Sequence, residues 1–167
     1  MLINQELADK MIEQVGNELG ASSQYLAIAV YFEQESLDNT AAFFYAQSEE
    51  ERMHAMKLLK YVVEAGGHVE IPGVAAPSGN INSAEDAFKA ALAWEMEVTG
   101  QINALMDLAI KQNDHLAKNF LMWFVNEQLE EVTTMDKYLN LVRKIGANNI
   151  YYLENLITRP VASEAEE

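Results

Sequence analysis

Only three prolines occur in the chain, Pro72, Pro77 and Pro160, and none interrupts the stretch before Gly66 or the one from Ala84 to Gly146. A proline inside a helix removes a hydrogen bond and clashes with the preceding turn, so long proline-free spans rich in Ala, Leu, Met, Glu and Gln read as helix. The first span is broken by the turn 35–38, and the second by Asn113-Asp114. The expected elements are therefore α1 over 5–34, α2 over 39–65, α3 over 83–112 and α4 over 115–145. Asp38 or Asn39 is expected to cap α2, Ser83-Ala84-Glu85-Asp86 to open α3, and Gly66-Gly67 and Gly146 to stop α2 and α4. A short α5 over 149–158 carries Ile150, Leu153, Leu156 and Ile157, and the acidic tail, 159–167, is expected to be disordered at its Glu-rich end.

The connection 67–82 is long for a compact domain, and its reach explains it. A helix of about 28 residues is roughly 42 Å long. About 15 extended residues span roughly 50 Å. The connection can cross the whole bundle, so α2 and α3 are expected to run parallel, while α1–α2 and α3–α4 form antiparallel hairpins. The expectation is one all-α domain over 1–167, a four-helix bundle with one long crossover and a short fifth helix.

Bulk properties narrow the function. The 167 residues suffice for one continuous core, and no apolar run approaches the roughly 20 residues that span a membrane. The start Met1-Leu2-Ile3-Asn4-Gln5-Glu6 lacks the basic and apolar segments of a secretory signal. Cysteine is absent, which excludes disulfides, thiolate metal sites and cysteine nucleophiles and agrees with a cytoplasmic chain. A net charge of −15 offers nucleic acid no basic patch. Such an excess either keeps a surface solvated or attracts cations, and composition alone does not choose.

Alternating steps of three and four assign one inward stripe to each helix. The α1 stripe is Leu7, Met11, Val15, Glu18, Ser22, Tyr25, Ala29 and Phe32. On α2 the same steps select Phe44, Gln47, Glu51, His54, Leu58, Tyr61 and Ala65. The α3 stripe is Phe88, Ala91, Glu95, Val98, Ile102, Leu105 and Ala109, and that of α4 is Phe120, Phe124, Gln128, Glu131, Met135, Tyr138 and Val142. Each is apolar at both ends with a carboxylate near its middle. Counted from the turns that join the helices, the four carboxylates lie at one height.

One mid-helix glutamate is usually a surface residue, and Glu-x-x-His alone is common by chance. Four carboxylates converging in a core are another matter, because desolvation and mutual repulsion must be relieved by protonation or by cations. No Lys or Arg occupies the stripes. Glu51 and His54 stand at i, i+3 and point into the same space. Oxygen-rich ligation with imidazole suits iron or manganese. Di-metal bundles take a Glu from each of two helices and Glu-x-x-His from each of the other two. Here α4 departs from that pattern, with Gln128 before Glu131 and no histidine. The second metal position should be the weaker one, which suits metal in transit. Glu50, Glu127 and Glu130 lie one step off the stripes, either as a solvated face or as a third metal position. Tyr25 is either core packing or a hydrogen-bond or electron donor, and Trp123 is open in the same way. Asp114 and His115 could line a pore, or serve only as turn and cap.

Glu18 with Tyr25, then Glu50-Glu51-Arg52-Met53-His54-Ala55-Met56-Lys57, then Glu95 and Thr99, then Trp123-Phe124-Val125-Asn126-Glu127-Gln128-Leu129-Glu130-Glu131 resemble the prokaryotic non-haem ferritins. The likeness runs from about residue 5 to 158. It implies a ferroxidase centre in which Glu18, Glu51 and His54 form one iron position. Glu51 would bridge to a second, completed by Glu95 and Glu131, with Gln128 as a nearby hydrogen-bond partner. Glu50, Glu127 and Glu130, with Glu131, would make the third site of this branch. Catalytic roles are expected for Glu18, Glu51, His54, Glu95, Glu131 and Tyr25. The resemblance further implies a homo-oligomeric shell of twenty-four subunits, with α5 lining its four-fold axes.

The haem-containing bacterioferritins usually place Met after the bridging Glu and a His ligand on α4; Arg52 and Glu131 stand there, so no haem is expected. The expected activity is oxidation of Fe(II) by O2 or H2O2 and storage of Fe(III) as a ferric oxy-hydroxide mineral, without nucleic-acid or membrane partners. A rubrerythrin-like di-iron enzyme would need a Cys-rich module and a second Glu-x-x-His. A purely structural bundle would leave the glutamates incidental, and assembly size separates it from a storage shell.

Overall fold

The computed structural model describes residues 2–77, 79 and 81–157. Its elements are α1 (Gln5–Gln34), α2 (Asp38–Glu64), α3 (Ala84–Lys111), α4 (His115–Ile145), a 3-10 segment (Ala147–Tyr152) and α5 (Leu153–Leu156). The expected fifth helix is thus mainly a 3-10 segment followed by one α turn; residue 158 and the acidic tail lie outside the described residues. Among the described residues there is no strand, and no helix is long and apolar enough to cross a membrane. The fold is an all-α four-helix bundle with a short C-terminal helix.

Contacts between helix ends establish the topology. Gln112 Nε2 donates to Glu6 Oε2 at 3.0 Å, joining the end of α3 to the start of α1, so these two are antiparallel. Arg143 reaches Glu85 at 2.9 Å, which sets α4 antiparallel to α3. Tyr61 stacks on Phe120 at 4.0 Å and Phe43 meets Tyr138 at 5.2 Å, which sets α2 antiparallel to α4. It follows that α2 and α3 run parallel and the connection between them traverses the bundle. Pro72 and Gly73 of that connection lie against α1 at Gly16, where a Cβ would come within 3.2 Å of Pro72 Cγ.

Local rules stop each helix. Asn4, Ser83 and Asp114 cap α1, α3 and α4 by accepting from Glu6 N, Asp86 N and Ala117 N. The ends of α1, α2 and α3 share one device. Leu37 N bonds Phe32 O, Gly67 N bonds Val62 O and Asp114 N bonds Ala109 O, each across a residue with positive φ. This is the Schellman closure, which satisfies the last carbonyls. The start of α2 corrects the expectation. Neither Asp38 nor Asn39 caps it; Leu37 holds the cap position and its side chain cannot accept a hydrogen bond. Glu154 supplies the acceptor from α5, taking Asn39 N at 2.7 Å, Thr40 N at 2.9 Å and Thr40 Oγ1 at 2.6 Å. The terminal helix is thereby clasped to its own bundle.

Two apolar clusters fill the ends of the bundle. One gathers Phe32, Phe44, Phe88 and Tyr138; the other is mainly aliphatic, with Leu7, Met11, Leu58, Ile102 and Leu121. Each fully buried large apolar side chain contributes roughly 1.5–3 kcal/mol, which offsets the cost of the polar layer between the clusters.

Candidate metal centre

The stripes converge on that layer. Glu18, Glu51, His54, Glu95 and Glu131 are all buried, none more than 4% exposed. Helical geometry explains the meeting: side chains three or four apart share a face, and the antiparallel hairpins bring mid-helix positions to one height. Of the remaining stripe residues, Ser22, Tyr61 and Phe120 are only partly buried.

Among the described residues, two groups bring ligand atoms within 4.8 Å of one another: Glu18, Glu51 and His54, and Glu50, His54, Glu127 and Glu131. His54 belongs to both. Glu95 and Glu130 fall in neither, and Glu130 is exposed.

Glu95 is occupied elsewhere. The Tyr25 hydroxyl donates to its Oε1, and Gln128 Nε2 donates to its Oε2 at 3.1 Å. Gln128 also meets Thr99 Oγ1 and the Glu95 carbonyl, each at 3.3 Å, while Thr99 Oγ1 donates to that carbonyl at 2.7 Å. Tyr25 thus bonds a centre carboxylate as well as packing on Phe44 at 5.8 Å.

Burial dominates the electrostatics. It raises the carboxyl of Glu18, a rise opposed by the neighbouring Glu51 carboxyl and by the hydrogen bond from Gln14. Glu51 is pushed well above the carboxylate range by burial and then by Glu95 and Glu18. The same happens to Glu131, through burial and then Glu95 and Glu50. Burial lifts Glu95 to about 7 against the opposing bonds from Tyr25 and Gln128. Burial, helped by Lys57, lowers His54 to about 4. The 3.6 Å approach of His54 Nδ1 to Glu51 Oε2 is therefore not an ion pair at neutral pH: the imidazole is neutral. A neutral imidazole is the form that binds metal.

The donor set fits a cation. Glu18 Oε2, Glu51 Oε1 and His54 Nε2 are buried without a hydrogen-bond partner, and their three residues make up the first group. Buried polar groups are almost always paired, so an unpartnered atom on each of the three residues of one ligand group is what a bound ion would relieve. Carboxylate oxygens with imidazole suit iron or manganese.

Further polar and aromatic side chains surround these groups, and Gln14 among them lies off the α1 stripe. Gln14, one turn before Glu18, is buried and donates to Glu18 Oε1 at 2.9 Å. Its i, i+4 spacing was the available signal. Gln47 donates to Glu50 Oε2 at 2.8 Å. Trp123 stands edge-on to His54 at 5.4 Å with Lys57 Nζ 4.1 Å over its ring. Asp114 serves as the α4 cap, and with His115 it lines a surface cleft that also contains Gln112.

Comparison with known proteins agrees with the geometry. The family described as Ferritin, a ferritin-like domain, matches residues 8–145. Ferritin BfrB of Mycolicibacterium smegmatis is 38% identical over 151 residues, 90% of this chain and 83% of that protein. A bacterial non-heme ferritin of Staphylococcus aureus is 33% identical over 155 residues, covering 92% and 93%. The open pore ferritin of the archaeon Archaeoglobus fulgidus superposes with a TM-score of 0.89 at 30% identity, covering 93% of this chain and 96% of that one.

Proposed function

This chain belongs to the ferritin family, and from that premise we propose that it oxidises Fe(II) within its own bundle and stores the product as ferric oxy-hydroxide inside a hollow shell of twenty-four copies. Glu18, Glu51 and His54 bind the first iron. Glu51 turns its second oxygen to a second iron, completed by Glu95 and Glu131. Glu50, Glu127 and Glu131, joined by Glu130 at the exposed edge, receive a third iron on its way to the cavity. The observation that carries this reading is the set of unpartnered buried atoms, Glu18 Oε2, Glu51 Oε1 and His54 Nε2.

Iron is the substrate. Each Fe(II) gives up one electron, so a pair supplies the two that convert O2 to H2O2, or H2O2 to water. The protein contributes position: carboxylates already assembled and largely dry bring two like-charged ions together without rearrangement. Ionisation of Glu51, Glu95 and Glu131 accompanies binding, because a cation offsets the desolvation and repulsion that keep them protonated. Proton release on Fe(II) binding follows.

The test is Fe(II) oxidation followed by absorbance, with iron retained per assembled shell. A variant carrying Glu51→Ala and His54→Ala should lose rapid oxidation while assembling normally. Wild-type rates no faster than those of the variant would sink the proposal. Assembly is checked separately by light scattering, where a particle of hundreds of kilodaltons is expected and a monomer or dimer would remove the storage shell.

A further inference from the structure

The two oxygens of Glu18 are engaged differently. Its Oε1 is taken by Gln14 Nε2 at 2.9 Å, and its Oε2 is the unpartnered atom. Gln14 is itself 2% exposed. An amide has a donor end and an acceptor end of nearly the same shape, so a partner must decide which way it faces. The Glu18 carboxylate, which accepts, takes the donor end, and Asn17 holds the other end by donating from Nδ2 to Gln14 Oε1 at 3.1 Å. The reversed amide would set two donors together at Asn17 and two acceptors together at Glu18. The chain Asn17, Gln14, Glu18 therefore has one direction, and it ends on Glu18 Oε1, leaving Oε2 as the oxygen without a partner.

We propose that Gln14, oriented by Asn17, is a positioning residue that fixes Glu18 for the first metal position. This rests on the centre being a metal site. Gln128 has the matching place across the bundle, an amide donating to the carboxylate of Glu95. Each flank of the centre thus holds one glutamate by a neutral amide, which restrains the carboxylate without a competing positive charge. Gln14 and Asn17 also line a cleft of about 310 Å3 between α1 and α3, together with Lys10, Glu13 and Gln101. Both residues of the orienting contact line that cleft, and Asn17 belongs to neither apolar cluster, so it can be replaced without removing a core side chain.

The experiment titrates the assembled protein with Co(II), without oxidant, by calorimetry and visible absorption, and locates ions in crystals by anomalous scattering. Wild type should bind at the Glu18, Glu51 and His54 position. In Gln14→Leu that position should bind about tenfold more weakly or worse, as when an outer partner of a metal ligand is removed. The ion beside Glu95 and Glu131 should be retained. Asn17→Ala should weaken the same position by a smaller factor, and it carries the test if Gln14→Leu fails to assemble. Unchanged affinity at the first position in the assembled variants overturns the inference, as does equal weakening at both positions. Wild type that binds no Co(II) overturns the metal centre itself, and the inference with it.

Discussion

The α1/α2 side of the centre and its α3/α4 side bury their glutamates equally but satisfy them differently. On the first side, Glu18 and Glu51 each keep an oxygen with no partner, and His54 keeps a nitrogen. On the second, Glu95 has both oxygens engaged, by Tyr25 and by Gln128. A buried carboxylate with unmet acceptors is costly and gains most from a cation; one that is already bonded gains less. The α1/α2 side is therefore set for tight binding, whereas binding at Glu95 on the α3/α4 side must compete with that residue's own hydrogen bonds. An iron position of the second kind releases its ion more readily, which suits transfer toward a mineral.

The sharpest way to break this comparison is to remove one ligand from each side. Glu18→Ala should slow Fe(II) oxidation by about a hundredfold and Glu95→Ala by about tenfold, the range in which lost ligand contacts act. Stopped-flow absorbance decides it, and equal losses would mean that the two sides do not differ.

A second test uses pH on the metal-free protein. Glu95 is raised from 4.5 to about 7. Its contribution to stability is thus fully present below pH 4.5 and lost as pH rises toward 7, because the folded state holds the extra proton in that window. At 1.36 kcal/mol per unit the effect is on the order of 3 kcal/mol. Glu51 and Glu131 act in the same direction. His54, lowered to about 4, acts oppositely: its contribution is present above 6.5 and lost as pH falls toward 4. Three carboxyls outweigh one imidazole, so Tm should fall between pH 5 and 7. Glu95→Gln should flatten that fall. Scanning calorimetry gives the slope, and a Tm that rises across the window would contradict the raised carboxyls.

A smaller effect is expected at Tyr25. Tyr25→Phe removes the donor to Glu95 Oε1 and leaves a buried acceptor unmet, a cost of about 1–3 kcal/mol in the metal-free protein. Divalent metal should recover much of that loss by taking over the oxygen. Urea unfolding with and without Zn(II) measures it, and a cost unaffected by metal would place Tyr25 in packing alone. The smallest effect belongs to a control far from the centre. Glu154→Ala removes the acceptor for Asn39 N and Thr40 N and should cost about 1 kcal/mol, as a lost helix cap does. It should leave Co(II) affinity unchanged on both sides.

Much of this molecule can be read from its sequence. Proline placement and the 3.6-residue period locate four long helices to within one residue at each end, because helix propensity, capping and closure are local properties. The heights of Glu18, Glu51, Glu95 and Glu131 follow from counting along rigid helices joined by short turns. The length of the crossover dictates which helices run parallel. Other features needed the packed structure. The acceptor at the start of α2 comes from Glu154, more than a hundred residues away, and no local pattern points to it. His54 lies within reach of both groups of ligands, while Glu130, equal to its neighbours in the sequence, stays in solvent. Which oxygens are bonded and which are left open, at Glu18 through Gln14 and at Glu95 through Tyr25 and Gln128, depends on side chains from different helices meeting at hydrogen-bond distance. Periodicity specifies a face and a height. Hydrogen bonding requires direction and distance to a few tenths of an ångström, and only the closed bundle supplies those.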